Sequence, residues 1–157
     1  MPLGRQYVAG FFDGEGNVRI HPCFRSGKGF VLQLRVIITN TNKKILELIQ
    51  EEFGGVLARM DNQARFSGKD GIKKRKHCYR LSFGSEKAYL FLLAIAPFSV
   101  IKKERILVAL EFFNAQHYNA NRFIDNNRSK GRTPEAVNQE LDFCRKMKEL
   151  NQRGEVN

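Results

Sequence analysis

The chain has 157 residues, of which 42% are hydrophobic and 13 are phenylalanine, so residues 1–157 are expected to form one domain around a hydrophobic core. Lysine and arginine number 27 against 16 acidic residues, and the formal net charge of +11 makes a polyanion the expected partner. The three widely spaced cysteines exclude a disulfide framework and a zinc ribbon, and the lack of a long apolar run excludes a membrane span, so an intracellular protein is expected.

The first elements predicted along the chain are a helix and a β-hairpin. Pro2 to Phe12 has apolar residues at helical spacing, and Gly14 and Gly16 are expected to end this helix. Asn17 to Arg25 and Val31 to Thr39 alternate between apolar and polar residues, which is typical of strands with one buried face.

A second helix and a second hairpin follow. Asn42 to Phe53 has helical spacing and is closed by a pair of glycines. Val56 to Gln63 and His77 to Gly84 are predicted strands, joined by the basic segment Phe66 to Lys76. The remaining predicted helices are Glu86–Ala96, Val100–Gln116 and Thr133–Asn151. The order α-β-β-α-β-β-α with an extra C-terminal helix predicts an α+β fold.

Positive charge is concentrated on the two predicted hairpins. No Asp or Glu lies between Gly16 and Leu46, and the basic residues there fall mostly on outward strand positions. Basic hairpins that also carry Asn and Gln can enter a DNA major groove, although any single side chain could equally be a solvated surface residue. The candidate DNA contacts are Arg19, His21, Arg25, Lys28, Gln33, Arg35, Arg59, Asp61, Gln63, Arg65, Lys74, Lys76 and Arg80.

The end of the first helix carries the residues best suited to chemistry. Gly10 and Gly14 are four residues apart, where a partner backbone could approach closely, and Asp13 and Glu15 are acids near a helix C-terminus. Carboxylates there are disfavoured by about 0.3 to 1 kcal/mol, which a divalent cation would offset. Asp13 or Glu15 with the Gly14 carbonyl could form part of an Mg²⁺ shell, and a polar turn into the first strand is the alternative.

The segment from Val8 to Gly16 resembles the signature of the LAGLIDADG homing endonucleases, and the same order of elements follows it over nearly the whole chain. The resemblance is to single-motif, homodimeric members, with Val8 and Glu15 in place of the more common Leu and Asp. It implies a saddle-shaped antiparallel sheet and motif helices that pack together at a dimer axis. It also implies that Glu15 and Gly14 bind the metal, while Ala9, Gly10, Asp13 and Gly14 form the dimer interface.

The same resemblance implies three more catalytic residues. Asn40 matches a polar residue that orients water near the metal, Lys44 matches a basic residue at the rim of the site, and Lys102 matches an active-site lysine that follows a Pro-Phe segment. Without the resemblance, Lys102 would be interpreted as helix surface. Asp13 is expected to cap the motif helices at the dimer contact and not to bind metal.

These features predict a Mg²⁺-dependent, site-specific DNA endonuclease. Because the motif occurs once and a duplex has two strands, a homodimer and a long pseudo-palindromic site are expected. The alternative is a LAGLIDADG-type protein that binds nucleic acid without cutting it, or an RNA maturase. Family habit suggests an organelle or a bacterial cytoplasm, and the sequence leaves this open.

Overall fold

The computed structural model describes residues 3–25, 29–60, 77–122 and 133–152. The described helices and strands are, in chain order, α1 (Arg5–Glu15), β1 (Gly16–Arg25), β2 (Gly29–Asn40), α2 (Lys43–Phe53), β3 (Val56–Met60), β4 (Cys78–Gly84), α3 (Ser85–Ile95), α4 (Lys103–Arg122) and α5 (Pro134–Gln152). This order confirms the predicted α+β arrangement of two hairpins and intervening helices.

The four strands form one antiparallel sheet in the order β1-β2-β4-β3. The two hairpins therefore meet through their second strands, with Val36 beside Phe83 and Ile38 beside Leu81. Since side chains alternate across a strand, every second residue faces the helices and the others face outward. The outward face of β1, β2 and β4 is the surface that the functional site occupies.

The helices cover the inner face of the sheet and close the hydrophobic core. The buried strand residues on this face are Val18, Ile20, Leu32, Leu34, Val36, Ile38, Leu81 and Phe83. Phe91 of α3 lies at the centre of an aromatic cluster, with ring centroids 4.6 Å from Phe83, 5.2 Å from Phe53 and 5.4 Å from Phe12. This cluster fixes α1 and α2 on the sheet through the same side chain.

Helix α1 runs further than the sequence predicted. It begins at Arg5 and continues through Gly14 to Glu15, where the sequence pattern placed its last residue near Phe12. A glycine inside a helix is unfavourable by about 1 kcal/mol, and the hydrogen bonds of Asp13 to the segment before α4 hold this last turn in place. The chain leaves the helix at Gly16, and only glycine fits there, because a Cβ atom would overlap both the ring and the carbonyl oxygen of Phe12.

The start of α4 also differs from the boundary that the sequence predicted. Helix α4 begins at Lys103, and Val100 to Lys102 form a turn before it, whereas the sequence predicted helix from Val100. Thr133 caps the start of α5, since its hydroxyl accepts a hydrogen bond from the Ala136 amide at 3.3 Å. Within the described ranges, no helix has the length and apolar character needed to cross a membrane.

Candidate functional site

An open groove of about 340 Å³ lies on the outer face of the sheet, next to the end of α1. Its lining residues are Glu15, Asn17, Arg19, His21, Arg35, Ile37, Thr39 and Arg80. The groove therefore combines the acid of the motif helix with side chains from three strands. Four predicted DNA contacts, namely Arg19, His21, Arg35 and Arg80, are brought together here.

Positive charge is crowded within this groove. The register places Arg19 directly opposite Arg35 on the neighbouring strand, and Arg80 opposite Thr39 on the other side of β2. Like charges in directly opposed positions destabilise a sheet. An anionic partner in the groove would offset that repulsion, which makes the arrangement suited to binding a phosphate backbone or the acceptor edges of bases.

Two of the arginines are restrained by their surroundings. The Arg19 guanidinium donates from Nε to the Asn17 side-chain oxygen at 2.8 Å. The Arg80 side chain is half-buried, and its Nε atom is buried without a hydrogen-bond partner in the described part of the chain. Restrained side chains lose less conformational entropy when they bind, so these two are suited to specific contacts.

His21 lies one outward position beyond Arg19 on β1, and its surroundings favour the neutral imidazole. Burial lowers the pKa of His21 below its ordinary value, and the nearby Arg35 and Arg19 charges lower it further, against a hydrogen bond to the Gln33 backbone. Its Nδ1 atom is buried and has no partner among the described residues. A neutral imidazole offers one acceptor nitrogen, so His21 can accept a hydrogen bond from a ligand in the groove.

Glu15 is the acidic group of the groove, and it is exposed at the last position of α1. The final carbonyls of a helix have no partner within the helix, so the Gly14 carbonyl is a second oxygen donor at this end of α1. Both are hard oxygen donors of the kind that Mg²⁺ prefers. The described residues contain no group of three or more His, Cys, Asp and Glu, so a cation here would complete its shell with water, DNA or a second chain.

The carboxylate of Asp13 points into the chain and holds the turn before α4. Its Oδ1 accepts hydrogen bonds from the Ser99 hydroxyl at 2.5 Å and the Lys102 amide at 3.1 Å. Its Oδ2 accepts from the Val100 amide at 2.7 Å and the Ile101 amide at 3.1 Å. Asp13 is thus an intrachain cap for the start of α4, which corrects its predicted place in the dimer interface.

Lys102 completes a reciprocal contact between the same two segments. Its ammonium donates to the backbone carbonyl of Asp13 and lies 5.9 Å from the centroid of the Phe12 ring. Burial lowers the pKa of Lys102 below its ordinary value, and the positive charge of Arg105 lowers it further. The negative charges of Asp13 and Glu15 act in the other direction, with Asp13 the larger of the two. The contact between the Lys102 ammonium and the Asp13 carbonyl ties the end of α1 to the turn before α4.

The outer face of α1 is open. Gly10 and Gly14 are exposed, and a Cβ atom at either position would meet no atom within 4 Å. Ala9 is 0% exposed inside its own chain, so its predicted place in the dimer interface is also corrected. Val100 and Ile101, whose amides bond to Asp13, are 81% and 75% exposed and extend an apolar surface beside the end of α1.

Three other predicted residues lie away from the groove. Asn40 is next to Thr39 in sequence, but alternation places it opposite Tyr79 on the other face, and its side chain accepts from the Asn42 amide at 2.8 Å. Arg59 also pairs with Tyr79, so it faces away from Arg80, and it contacts His77 at 2.8 Å. Lys44 is exposed in the first turn of α2 and does not line the groove.

The remaining predicted contacts lie outside the groove lining or outside the described residues. Gln33 is half-buried on β2 opposite His21, on the groove face but outside the groove lining. The Arg25 side chain and the residues Lys28, Asp61, Gln63, Arg65, Lys74 and Lys76 lie outside the described part of the chain.

Sequence reasoning missed three residues that the structure brings into the site. Asn17 and Thr39 line the groove, and Ser99 bonds to Asp13. The strand alternation that selected Arg19 and Arg35 also places Asn17 and Thr39 outward, so this signal was available. The Ser99 contact joins residues 86 positions apart, and no local pattern indicates it.

Solved homing endonucleases share this architecture. The archaeal intron-encoded homing endonuclease I-Vdi141I complexed with DNA matches with a TM-score of 0.67 and 20% identity, over 93% of this chain and 82% of that one. I-CvuI in complex with its target, in the presence of 2 mM Ca, matches with a TM-score of 0.67 and 14% identity, over 93% of this chain and 80% of that one. The LAGLIDADG homing endonuclease I-GzeII in complex with a DNA target matches with a TM-score of 0.63 and 15% identity, over 90% of this chain and 44% of that one.

These likenesses confirm the predicted fold, which is that of the LAGLIDADG homing endonucleases. No protein-family model matches the chain, and none of the curated proteins matches it.

Proposed function

We propose that this protein is a site-specific homing endonuclease that hydrolyses double-stranded DNA as a homodimer with a divalent cation. The observation that carries the proposal is the position of Glu15, the acid of the motif helix, at the edge of a groove lined by three arginines. A carboxylate beside a strongly basic face places a metal ligand where a bound phosphate backbone would pass. The fold shared with homing endonucleases in complex with DNA supports the same conclusion.

The outer face of the sheet is the proposed DNA-binding surface. An antiparallel β-ribbon fits the major groove, and outward Arg, His and Asn side chains can reach base edges as well as phosphates. Arg19, His21 and Arg35 lie on the paired strands β1 and β2, and Arg80 extends the same surface onto β4. The formal charge of +11 adds long-range attraction to DNA.

Glu15 and the Gly14 carbonyl are the proposed metal ligands. When bound, a divalent cation activates water and stabilises the leaving oxygen of a phosphodiester. Two contacts within the chain hold the end of α1 in place. Lys102 binds the Asp13 carbonyl, and the Asp13 carboxylate binds the turn before α4. Lys102 also places a positive charge near Glu15, where it would offset charge that develops on the phosphate.

A homodimer supplies the second acid that double-strand cleavage needs. Each chain carries the motif once, and the outer face of α1 has two exposed glycines where another backbone can approach closely. The exposed Val100 and Ile101 give this face apolar area beside the glycines. An isologous contact of two α1 helices would bring the two Glu15 residues to either side of one axis, with a pseudo-palindromic DNA site across it.

The variant Gly10→Leu tests the dimer contact. We expect it to leave the monomer folded, because a side chain at Gly10 meets nothing within its own chain. It should stabilise isolated α1 by up to about 1 kcal/mol, since Leu is a better helix former than Gly, and yet it should prevent the close approach of a second α1. Light scattering at micromolar concentration should show a dimer for the native protein and a monomer for Gly10→Leu.

A matched control for this variant is Asn114→Leu, which adds a similar side chain to an exposed position of α4. It should remain dimeric. Should Gly10→Leu also remain dimeric and cut both strands at the native rate, α1 would not be the dimer contact.

DNA cleavage by the native protein tests the function itself. The protein is first used to select bound duplexes from a randomised library, and plasmids carrying the selected site are then incubated with Mg²⁺ or with EDTA. We expect linear plasmid with Mg²⁺ and intact plasmid with EDTA. Tight DNA binding without cleavage under any divalent cation would replace the proposal with a non-cleaving DNA binder, and preference for structured RNA would favour a maturase.

A further inference from the structure

We infer that each half of the DNA site carries two guanines near the cleavage point, one read by Arg19 and one by Arg80, and that Asn17 is the residue that positions Arg19. This inference rests on the proposed function and names the sequence class that the groove accepts. It assigns roles to particular side chains from how each is restrained in the groove.

Asn17 fixes the orientation of the Arg19 guanidinium. Its side-chain oxygen takes the Nε donor at 2.8 Å, and both residues line the groove beside Glu15. With Nε occupied, the two terminal nitrogens of Arg19 remain as a fork of donors. Guanine presents two adjacent acceptors, N7 and O6, in the major groove, and adenine presents an acceptor next to a donor. A fixed fork of donors therefore matches guanine and disfavours adenine.

Arg80 is restrained in a different way. It is half-buried in the sheet, opposite Thr39 on β2 and Ala58 on β3, and its Nε has no partner in the described residues. The neighbouring strands limit the positions that its guanidinium can take, so its donors emerge at one place in the groove. Arg80 lies on a different strand from Arg19, which means that the two arginines address different base pairs.

Base contact is favoured over phosphate contact by the position of both side chains. Phosphates line the rims of the major groove, and base edges form its floor. The strands β1 and β4 lie on either side of β2, and Arg19 and Arg80 project from their outward faces into the same groove as Glu15. Arg35 opposes Arg19 and is exposed like it, but the hydrogen bond to Asn17 holds Arg19 alone, so Arg35 is assigned the contribution of positive charge.

Selection from a randomised duplex library in EDTA tests the assignment, because binding is then measured without cleavage. The native protein should enrich guanine at two positions of each half-site. Arg19→Ala should lose the preference for guanine at one of these positions, and Arg80→Ala should lose it at the other. In each case the discrimination against the wrong base should fall by roughly 5- to 150-fold. Lys146→Ala, which removes an exposed cation on α5, should keep both preferences.

The positioning role of Asn17 has its own readout. Asn17→Leu should lower the guanine preference only at the position that Arg19→Ala affects, while Asn17→Asp, which keeps the acceptor oxygen, should restore it. A uniform loss of affinity for all sequences in Arg19→Ala and Arg80→Ala would show phosphate contacts and overturn the inference. So would a selected site without the two guanines, or an unchanged preference in Asn17→Leu. A native protein that retains no DNA would overturn the proposed function as well.

Discussion

Glu15→Gln is expected to abolish DNA cleavage and to leave DNA binding intact. Glutamine is nearly the same size as glutamate but offers the cation no negative charge. A divalent cation contributes several kcal/mol to phosphodiester hydrolysis, and each 1.4 kcal/mol is a factor of ten in rate, so the loss should be about a thousandfold or more. The measurement is the single-turnover rate of plasmid linearisation with Mg²⁺ at saturating protein.

The affinity of the Glu15→Gln protein for DNA should not fall with its cleavage rate. Glu15 is an acid in a groove with three arginines, and its charge repels the DNA when no metal is present. In EDTA, the Glu15→Gln protein should therefore bind the same site as well as the native protein or more tightly. The control is Glu111→Gln, which removes an exposed carboxylate from α4 and should leave both rate and affinity unchanged. Cleavage by Glu15→Gln at the native rate would remove Glu15 from the catalytic site.

Asp13→Ala is expected to lower the free energy of unfolding by about 2 to 4 kcal/mol. The carboxylate is 7% exposed and accepts four hydrogen bonds from Ser99 and the three residues after it. Its removal deprives three amides before α4 of their acceptor. A helix cap contributes about 0.5 to 2 kcal/mol and a hydrogen bond to a charged group about 1.5 to 3 kcal/mol, so the loss of several such bonds together gives the expected range. Urea denaturation at neutral pH measures the difference.

The matched control is Asp142→Ala, because Asp142 is an exposed carboxylate that pairs with Arg145 at 2.8 Å. This substitution should change stability by about 0.5 kcal/mol or less, as is usual for exposed pairs. An Asp13→Ala protein as stable as Asp142→Ala would contradict the capping role.

The stability that Asp13 provides should depend on pH. Burial alone would raise the pKa of Asp13, but the Ser99 hydroxyl and the amides of Val100, Ile101 and Lys102 together lower it below the ordinary value. A carboxyl group whose pKa is lower in the folded state stabilises the fold above its ordinary pKa and loses this contribution as pH falls through the folded value. The difference in the free energy of unfolding between the native protein and Asp13→Ala should therefore have its full size at neutral pH and become smaller in strong acid.

The sequence was sufficient to predict the order of elements and the outer face of the first hairpin. Alternation placed Leu34 and Val36 inward and Arg35 outward, and the structure confirms each. Alternation succeeds here because the inner face of β1 and β2 is buried under the helices, so a shift of one residue would bury Arg35. The motif segment was also found from sequence, since its glycines and acids lie within one short helix.

The errors came from contacts between distant parts of the chain. Asp13 was assigned to the dimer interface by the resemblance, and only the folded chain shows the turn that its carboxylate holds. Asn40 was chosen over Thr39 by resemblance, although strand alternation places Thr39 in the groove. Local patterns determine which face a residue takes, but they do not show which distant residue it meets there.

The most direct test of the proposed catalytic arrangement uses dimers that contain one native chain and one Glu15→Gln chain. Two affinity tags allow such mixed dimers to be purified after co-expression, and the substrate is supercoiled plasmid with the selected site. If one Glu15 from each chain serves one strand, the mixed dimer will nick the plasmid to an open circle and will not linearise it. Linear plasmid formed by the mixed dimer at the rate of the native dimer would contradict that account.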